Sequence, residues 1–182
     1  MKGVVFTEFL EMVENRFGLE TLDQIITQAR LDNDGAYTSV GTYEHQELVK
    51  LVAALSGTTG VAAPDLIKAF GEHLFERFAL GYPQLFQGVT SAFDFLRCIE
   101  HYIHVEVRKL YPDAELPSFA YEDHGPDSLV MIYQSRRPFA DLAEGLILGC
   151  VAHYGEPIDV RREDLESGAN NRSRFTLVRR RP

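Results

Sequence analysis

The sequence predicts an α+β domain: an N-terminal helical lobe, then a lobe built from one long helix and a roughly four-stranded antiparallel sheet. Three observations carry this. Apolar residues recur at helical spacing through the first two-thirds of the chain. The period then changes from 3.6 to 2 after Tyr111-Pro112. A single helical stretch interrupts the alternating segments that follow.

The elements follow in order. Val4, Val5, Phe9, Leu10, Met12, Val13 and Phe17 mark a first helix, and Gly18 stands where it would stop. Thr21 is placed to cap a second helix reaching Arg30. The turn Asp32-Asn33-Asp34-Gly35 comes next; it has the look of a calcium loop, but no glutamate closes it at the required distance. Thr42 is expected to cap a third helix ending near Gly57. Pro64, tolerated in a first helical turn, opens a fourth reaching about Ala79. Leu66, Ile67, Phe70, Leu74, Phe75 and Phe78 give that helix one broad apolar face.

Gly81-Tyr82-Pro83 breaks the pattern. Ser91 then caps the longest helix, which ends at Leu110 because the residue before Pro112 disfavours helical geometry. Residues 118–122, 129–137, 158–161 and 174–179 read as strands. The turn Asp123-His124-Gly125-Pro126-Asp127 joins the first two into a hairpin. A helix over 139–154 separates the second strand from the third. Neither repeats nor low-complexity segments occur, so residues 1–182 are expected to form one domain, divided into a part over 1–63 and a part over 64–182.

Composition narrows the function. The chain has 182 residues, 45% of them apolar and 25% charged, ordinary for a soluble globular domain with a sizeable core. Met1-Lys2-Gly3 leads directly into an amphipathic segment, unlike a secretory leader, and no run approaches membrane-spanning length. Cys98 and Cys150 are far apart, which excludes a cysteine framework or zinc site, and both are expected to be buried and inert. A cytoplasmic protein fits. The net charge of −9 argues against nucleic acid and anionic membranes as partners. Arg172, Arg174, Arg179, Arg180 and Arg181 collect near the end, with Asp159, Glu163, Asp164 and Glu166 close by. A solvated edge strand is the default there; a docking surface for an acidic partner is the alternative.

Two features carry chemistry. Tyr133, Ser135 and Arg137 alternate, so in a strand they leave one face, offering two hydroxyls and a forked cation to a carboxylate or phosphate. A merely solvated polar face before Pro138 is the competing reading. The second feature is His104, on the helix whose apolar stripe runs through Phe93, Leu96, Ile99, Ile103, Val107 and Leu110. It falls about 100° from Ile103 and about 60° from Val107, on the shoulder of that stripe. Three readings stand: an ordinary helical histidine, a metal site with His101 and Glu100, or a single axial ligand to haem iron. Haem requires an imidazole, an apolar slot, and cationic and hydroxyl partners for two propionates; the chain offers one of each.

On these residues the sequence resembles the H-NOX (haem nitric oxide/oxygen binding) family, in particular its bacterial stand-alone members. The resemblance covers nearly the whole chain. It rests on Met1-Lys2-Gly3, on His104 within His104-Val105-Glu106-Val107-Arg108-Lys109-Leu110-Tyr111-Pro112, on Pro117, and on Tyr133-Gln134-Ser135-Arg136-Arg137 as a Y-x-S-x-R motif. It implies haem b, ferrous iron protoporphyrin IX, buried between the lobes, with His104 as the axial ligand on the long proximal helix. Tyr133, Ser135 and Arg137 would hold the propionates, Arg136 would point away, and Pro117 would press on the porphyrin and distort it. Val5, Phe9, Leu66 and Phe70 from the helical, distal part, with Leu142 and Leu146, would line the distal pocket.

The resemblance also implies what differs. Oxygen-binding members carry a distal tyrosine five residues after the motif arginine, where this chain has Leu142, and Leu66 stands in place of the supporting polar residue. A hydrogen bond to a charged group is worth about 1.5–3 kcal/mol, roughly ten- to a hundredfold in affinity. Bound oxygen profits from such a donor and NO hardly does. The expectation is therefore a haem-based NO sensor, also taking CO, that is not itself an enzyme and signals to a histidine kinase or diguanylate cyclase. An oxygen-binding or haem-carrying protein, and a metalloenzyme using His101, His104 and Glu100, are the alternatives.

Overall fold

The computed structural model describes residues 1–123, 125–168 and 170–180; His124 of the hairpin turn and Arg181 of the arginine cluster lie outside them. Helix α1 (Gly3–Phe17) ends at Gly18, whose φ of 88° turns the chain so sharply that α2 (Leu19–Ala29) starts one residue later. Thr21 therefore sits inside α2, where its hydroxyl donates to the Phe17 carbonyl at 2.9 Å instead of capping. Nor does Thr42 cap α3 (His45–Thr59). It pairs with Lys2 in an isolated bridge, and Glu44 takes the cap position. The helix runs through Gly57 and stops at Gly60, in the left-handed region. Helix α4 (Ala63–Gly81) carries Pro64 in its first turn, as the sequence predicts.

The expected long helix is broken. Ser91 does cap its start, accepting the Asp94 amide at 3.2 Å, but α5 (Ala92–Arg97) ends at Cys98. A π-helical segment, Ile99–Ile103, follows, and then α6 (His104–Leu110). The amides of Tyr102 and Ile103 share the Cys98 carbonyl, and that of His104 donates to Ile99. A widened turn of this kind leaves the apolar spacing almost unchanged over five residues, so periodicity could not register it. Cys98 is half-buried at this junction rather than inert in the core, whereas Cys150 is fully buried, which pushes its thiol up.

The sheet holds β1 (Ser118–Asp123), β2 (Ser128–Ser135), β3 (Ile158–Glu166) and β4 (Asn171–Arg179), all antiparallel, in the order β1-β2-β4-β3. Helix α7 (Ala140–Tyr154) joins β2 to β3. Strands β3 and β4 exceed the expected lengths because their extensions are charged, not apolar. Arg174 faces Glu163 across the ladder, and Arg172 lies 3.7 Å from Glu166. The arginine-rich segment is thus an interior strand, not an edge. Arg174, Arg179 and Arg180 are paired with Glu122, Glu156 and Asp159.

Two apolar cores result. One joins α1 to α4 around Phe6, Phe9, Leu51 and Phe70; the other packs the sheet against α5 and α7 around Phe93, Met131, Ile147 and Phe175. Helices α4 and α7 contribute to both, and they cross where glycine permits. A Cβ on Gly145 would lie 2.0 Å from the Lys68 carbonyl oxygen, and one on Gly71 would lie 2.5 Å from that of Leu142. Gly145→Ala should therefore cost about 1–3 kcal/mol, read as a lower urea midpoint at unchanged slope. An unchanged midpoint would mean that the crossing can open. Among the described residues no helix is long and apolar enough to cross a membrane.

Candidate functional site

The break in the long helix puts His104 at the first residue of α6, only 8% exposed, while its neighbours His101 and Val105 face solvent. Its Nδ1 is buried and makes no hydrogen bond, although Glu100 Oε1 lies 3.2 Å away, off the N–H line. Burial holds the imidazole below its ordinary pKa; Glu100 opposes that and Arg108 adds to it. The imidazole is thus withdrawn from water, with a buried Nδ1 that has no hydrogen-bond partner beside one carboxylate. His101 is exposed and does not converge with it, and among the described residues no group of three His, Cys, Asp or Glu could hold an ion.

Tyr133, Ser135 and Arg137 come together, though not as three positions of one strand. β2 ends at Ser135, where the chain turns before Pro138. Arg137 is nonetheless tied in, because its amide donates to the Ser135 hydroxyl at 3.0 Å. Tyr133 is buried among Phe119 and Phe175. Burial raises the phenol's pKa, opposed by the Ser135 hydroxyl and the charges of Arg162 and Arg137. Arg136 is exposed. The guanidinium of Arg137 is half-buried and donates to both the carboxylate and the carbonyl of Glu115.

Its charge extends further. The Met1 amine and the His45 ring are both lowered in pKa, first by burial and then by Arg137. The corner thus gathers the Arg137 guanidinium and the Met1 amine with the carboxylates of Glu44 and Glu115. Spacing offered no sign of Glu115, His45 or the chain start here, because folding alone brings Glu115 into contact with Arg137 and the other two within reach of its charge. Glu100 was visible as a neighbour of His104, but not as the group beside its Nδ1.

The apolar candidates gather in the helical core. Phe9, Leu66 and Phe70 are buried, with Phe9 edge-on to Phe70 at 5.2 Å; Val5, Leu142 and Leu146 are partly buried against them. Leu146 also touches the second core, which Ile103 and Phe119 flank. Pro117 is half-buried in the loop between α6 and β1, two residues before Phe119, whose ring centre lies 6.1 Å from that of His104. Haem fits this donor set: a buried imidazole whose orphaned Nδ1 stands beside Glu100, apolar walls, and a hydroxyl–guanidinium group.

These features define a haem-protein domain, and comparison with known proteins places it. The family model for haem-NO-binding domains matches residues 2–162. The H-NOX protein of K. algicida, solved unliganded in the Fe(II) state, is 40% identical over 100% of this chain and 98% of its own, with a TM-score of 0.93. That of Shewanella woodyi, solved with IWP-051 in the Fe(II)CO state, is 41% identical over 99% of this chain and 95% of its own, with a TM-score of 0.84. Soluble guanylate cyclase 89Db of Drosophila melanogaster is 25% identical over 139 residues, 75% of this chain. The chain spans only 20% of that protein's length. The chain belongs to the haem-NO-binding (H-NOX) family, haem-based gas sensors whose members bind ligands such as NO and CO.

Proposed function

We infer that this chain is a sensor selective for nitric oxide over oxygen. The observation that supports this is the apolar character of Leu66 and Leu142, which pack in one core with Phe9 and Phe70 and bring no hydrogen-bond donor. In this reading His104 would ligate the iron, Tyr133, Ser135 and Arg137 would bind the propionates, and Pro117 would press on the porphyrin. Val5, Phe9, Leu66, Phe70, Leu142 and Leu146 would form the distal wall. Ferrous haem b would supply an iron able to take NO.

The chain supplies the rest. His104 ties the π segment and α6 to the site, and Pro117 sits in the loop that follows α6, so a change at His104 reaches both. Helices α4 and α7 belong to both cores, which couples the part over 1–63 to the part over 64–182, so that a shift in one is carried to the other. The output is a separate cytoplasmic histidine kinase or diguanylate cyclase, and the chain itself performs no catalysis.

Exposing the reduced protein to air tests the selectivity. The expected result is no oxygenated spectrum; a stable one would favour the oxygen-binding reading. The anion site has its own test. Arg137→Ala should speed haem transfer to an apo-globin scavenger roughly ten- to a hundredfold, because a charge-assisted pair is lost. Arg136→Ala should leave the rate unchanged, and equal effects would contradict the assignment.

A further inference from the structure

We propose that Glu100 is a positioning residue for His104, its carboxylate holding Nδ1–H so that the other ring nitrogen faces the iron with raised electron density. The inference rests on His104 being the haem ligand. Four observations support it. Glu100 Oε1 is 3.2 Å from Nδ1, while Nδ1 is buried with no hydrogen bond of its own. That oxygen is not free to wander, because it accepts the Phe119 amide at 2.8 Å. Both side chains are largely withdrawn from water, at 22% exposure for Glu100 and 10% for His104, so their interaction is weakly screened. Finally, Glu100 lies inside the π segment and His104 directly after it, so the unusual backbone itself fixes their relation.

Nδ1 stands 3.2 Å from the carboxylate without a hydrogen bond. A histidine that ligates a metal donates its second N–H to an acceptor that fixes ring and tautomer, and Glu100 is the carboxylate placed to be that acceptor. The other groups facing this pair do not compete for it. Tyr121 donates its hydroxyl to the Leu96 carbonyl at 2.8 Å, and Arg108 is exposed. Glu100 also joins His104 to the strand that follows Pro117, through the Phe119 amide. One carboxylate thus connects the ligand with the segment proposed to distort the porphyrin. A charged acceptor makes the imidazole a stronger donor to iron, and so sets how readily NO breaks that bond.

The test uses the reduced holoprotein and Glu100→Gln. Glutamine keeps an acceptor for the Phe119 amide but presents a neutral oxygen to Nδ1. The iron–histidine stretch, read by resonance Raman, should move to lower frequency, and the ferric/ferrous midpoint should rise. Haem release to a scavenger should accelerate roughly tenfold or more. Glu100→Ala, which removes both contacts, should show the same spectral shifts together with a lower melting temperature. A purely structural role would lower the melting temperature of the alanine variant while leaving stretch and midpoint unmoved in both, and would overturn the proposal. Wild-type protein with no iron–histidine stretch at all would overturn the ligand reading of His104 and the proposal with it, a result separate from the first.

Discussion

His104→Gly should purify without haem, and imidazole added to the medium should restore it. Among the described residues His104 is the buried histidine, and its ring stands beside Phe119. In the proposed site, removing it would delete the iron's protein ligand but leave the apolar walls and the Tyr133–Ser135–Arg137 group in place. The loss should exceed the roughly 10–100-fold that follows when only a supporting partner of a metal ligand is removed. Glycine leaves a space shaped like the lost ring, so free imidazole can enter it and bind as a neutral ligand. Absorption in the Soret region, with and without imidazole during expression, is the measurement. Full haem retention without imidazole would remove the ligand assignment.

Leu142→Tyr should create oxygen affinity that the proposed NO-selective pocket would lack. Leu142 lies in the first turn of α7 and packs against the core holding Phe9, Leu66 and Phe70. A tyrosine there would carry a hydroxyl donor into an apolar wall. A hydrogen bond to the partly charged bound oxygen is worth about 1.5–3 kcal/mol, hence a roughly ten- to hundredfold gain. Stability should fall, because a phenol hydroxyl without a ligand to bond costs about 1–3 kcal/mol on burial. NO binding should change much less. An oxygen titration of the reduced variant checks this. No gain, in a variant that still binds haem and NO, would mean that the apolar lining is not the source of selectivity.

The parts of the fold legible in the sequence were those whose period matched their geometry. The first four helices and the switch to strands after Tyr111-Pro112 are all present. Caps were less legible. Thr21 and Thr42 are good capping residues, but tertiary partners and a glycine turn claimed the positions first. Strands β3 and β4 were shortened in the reading because their alternation is in charge, and ion pairs rather than apolar faces continue the ladder. The π segment was invisible for a different reason: it alters hydrogen bonding without altering composition.

At the site, the residues themselves were legible but their arrangement was not. Arg137 was expected on a strand face; it reaches the same neighbourhood from a turn, through the Ser135 hydroxyl. Its contact with Glu115 spans 22 residues, and the Phe119 amide's hold on Glu100 spans 19. No local pattern records contacts of that range.

In the proposed sensor His104 binds a ferrous haem that responds to NO, and the absorption spectrum of the anaerobic, reduced protein before and after one equivalent of NO tests this. Stoichiometric haem is expected, with a Soret band that shifts completely on NO addition, and a shift of different character in His104→Gly rescued by imidazole. Native protein that binds no haem, or a haem spectrum indifferent to NO, would contradict it.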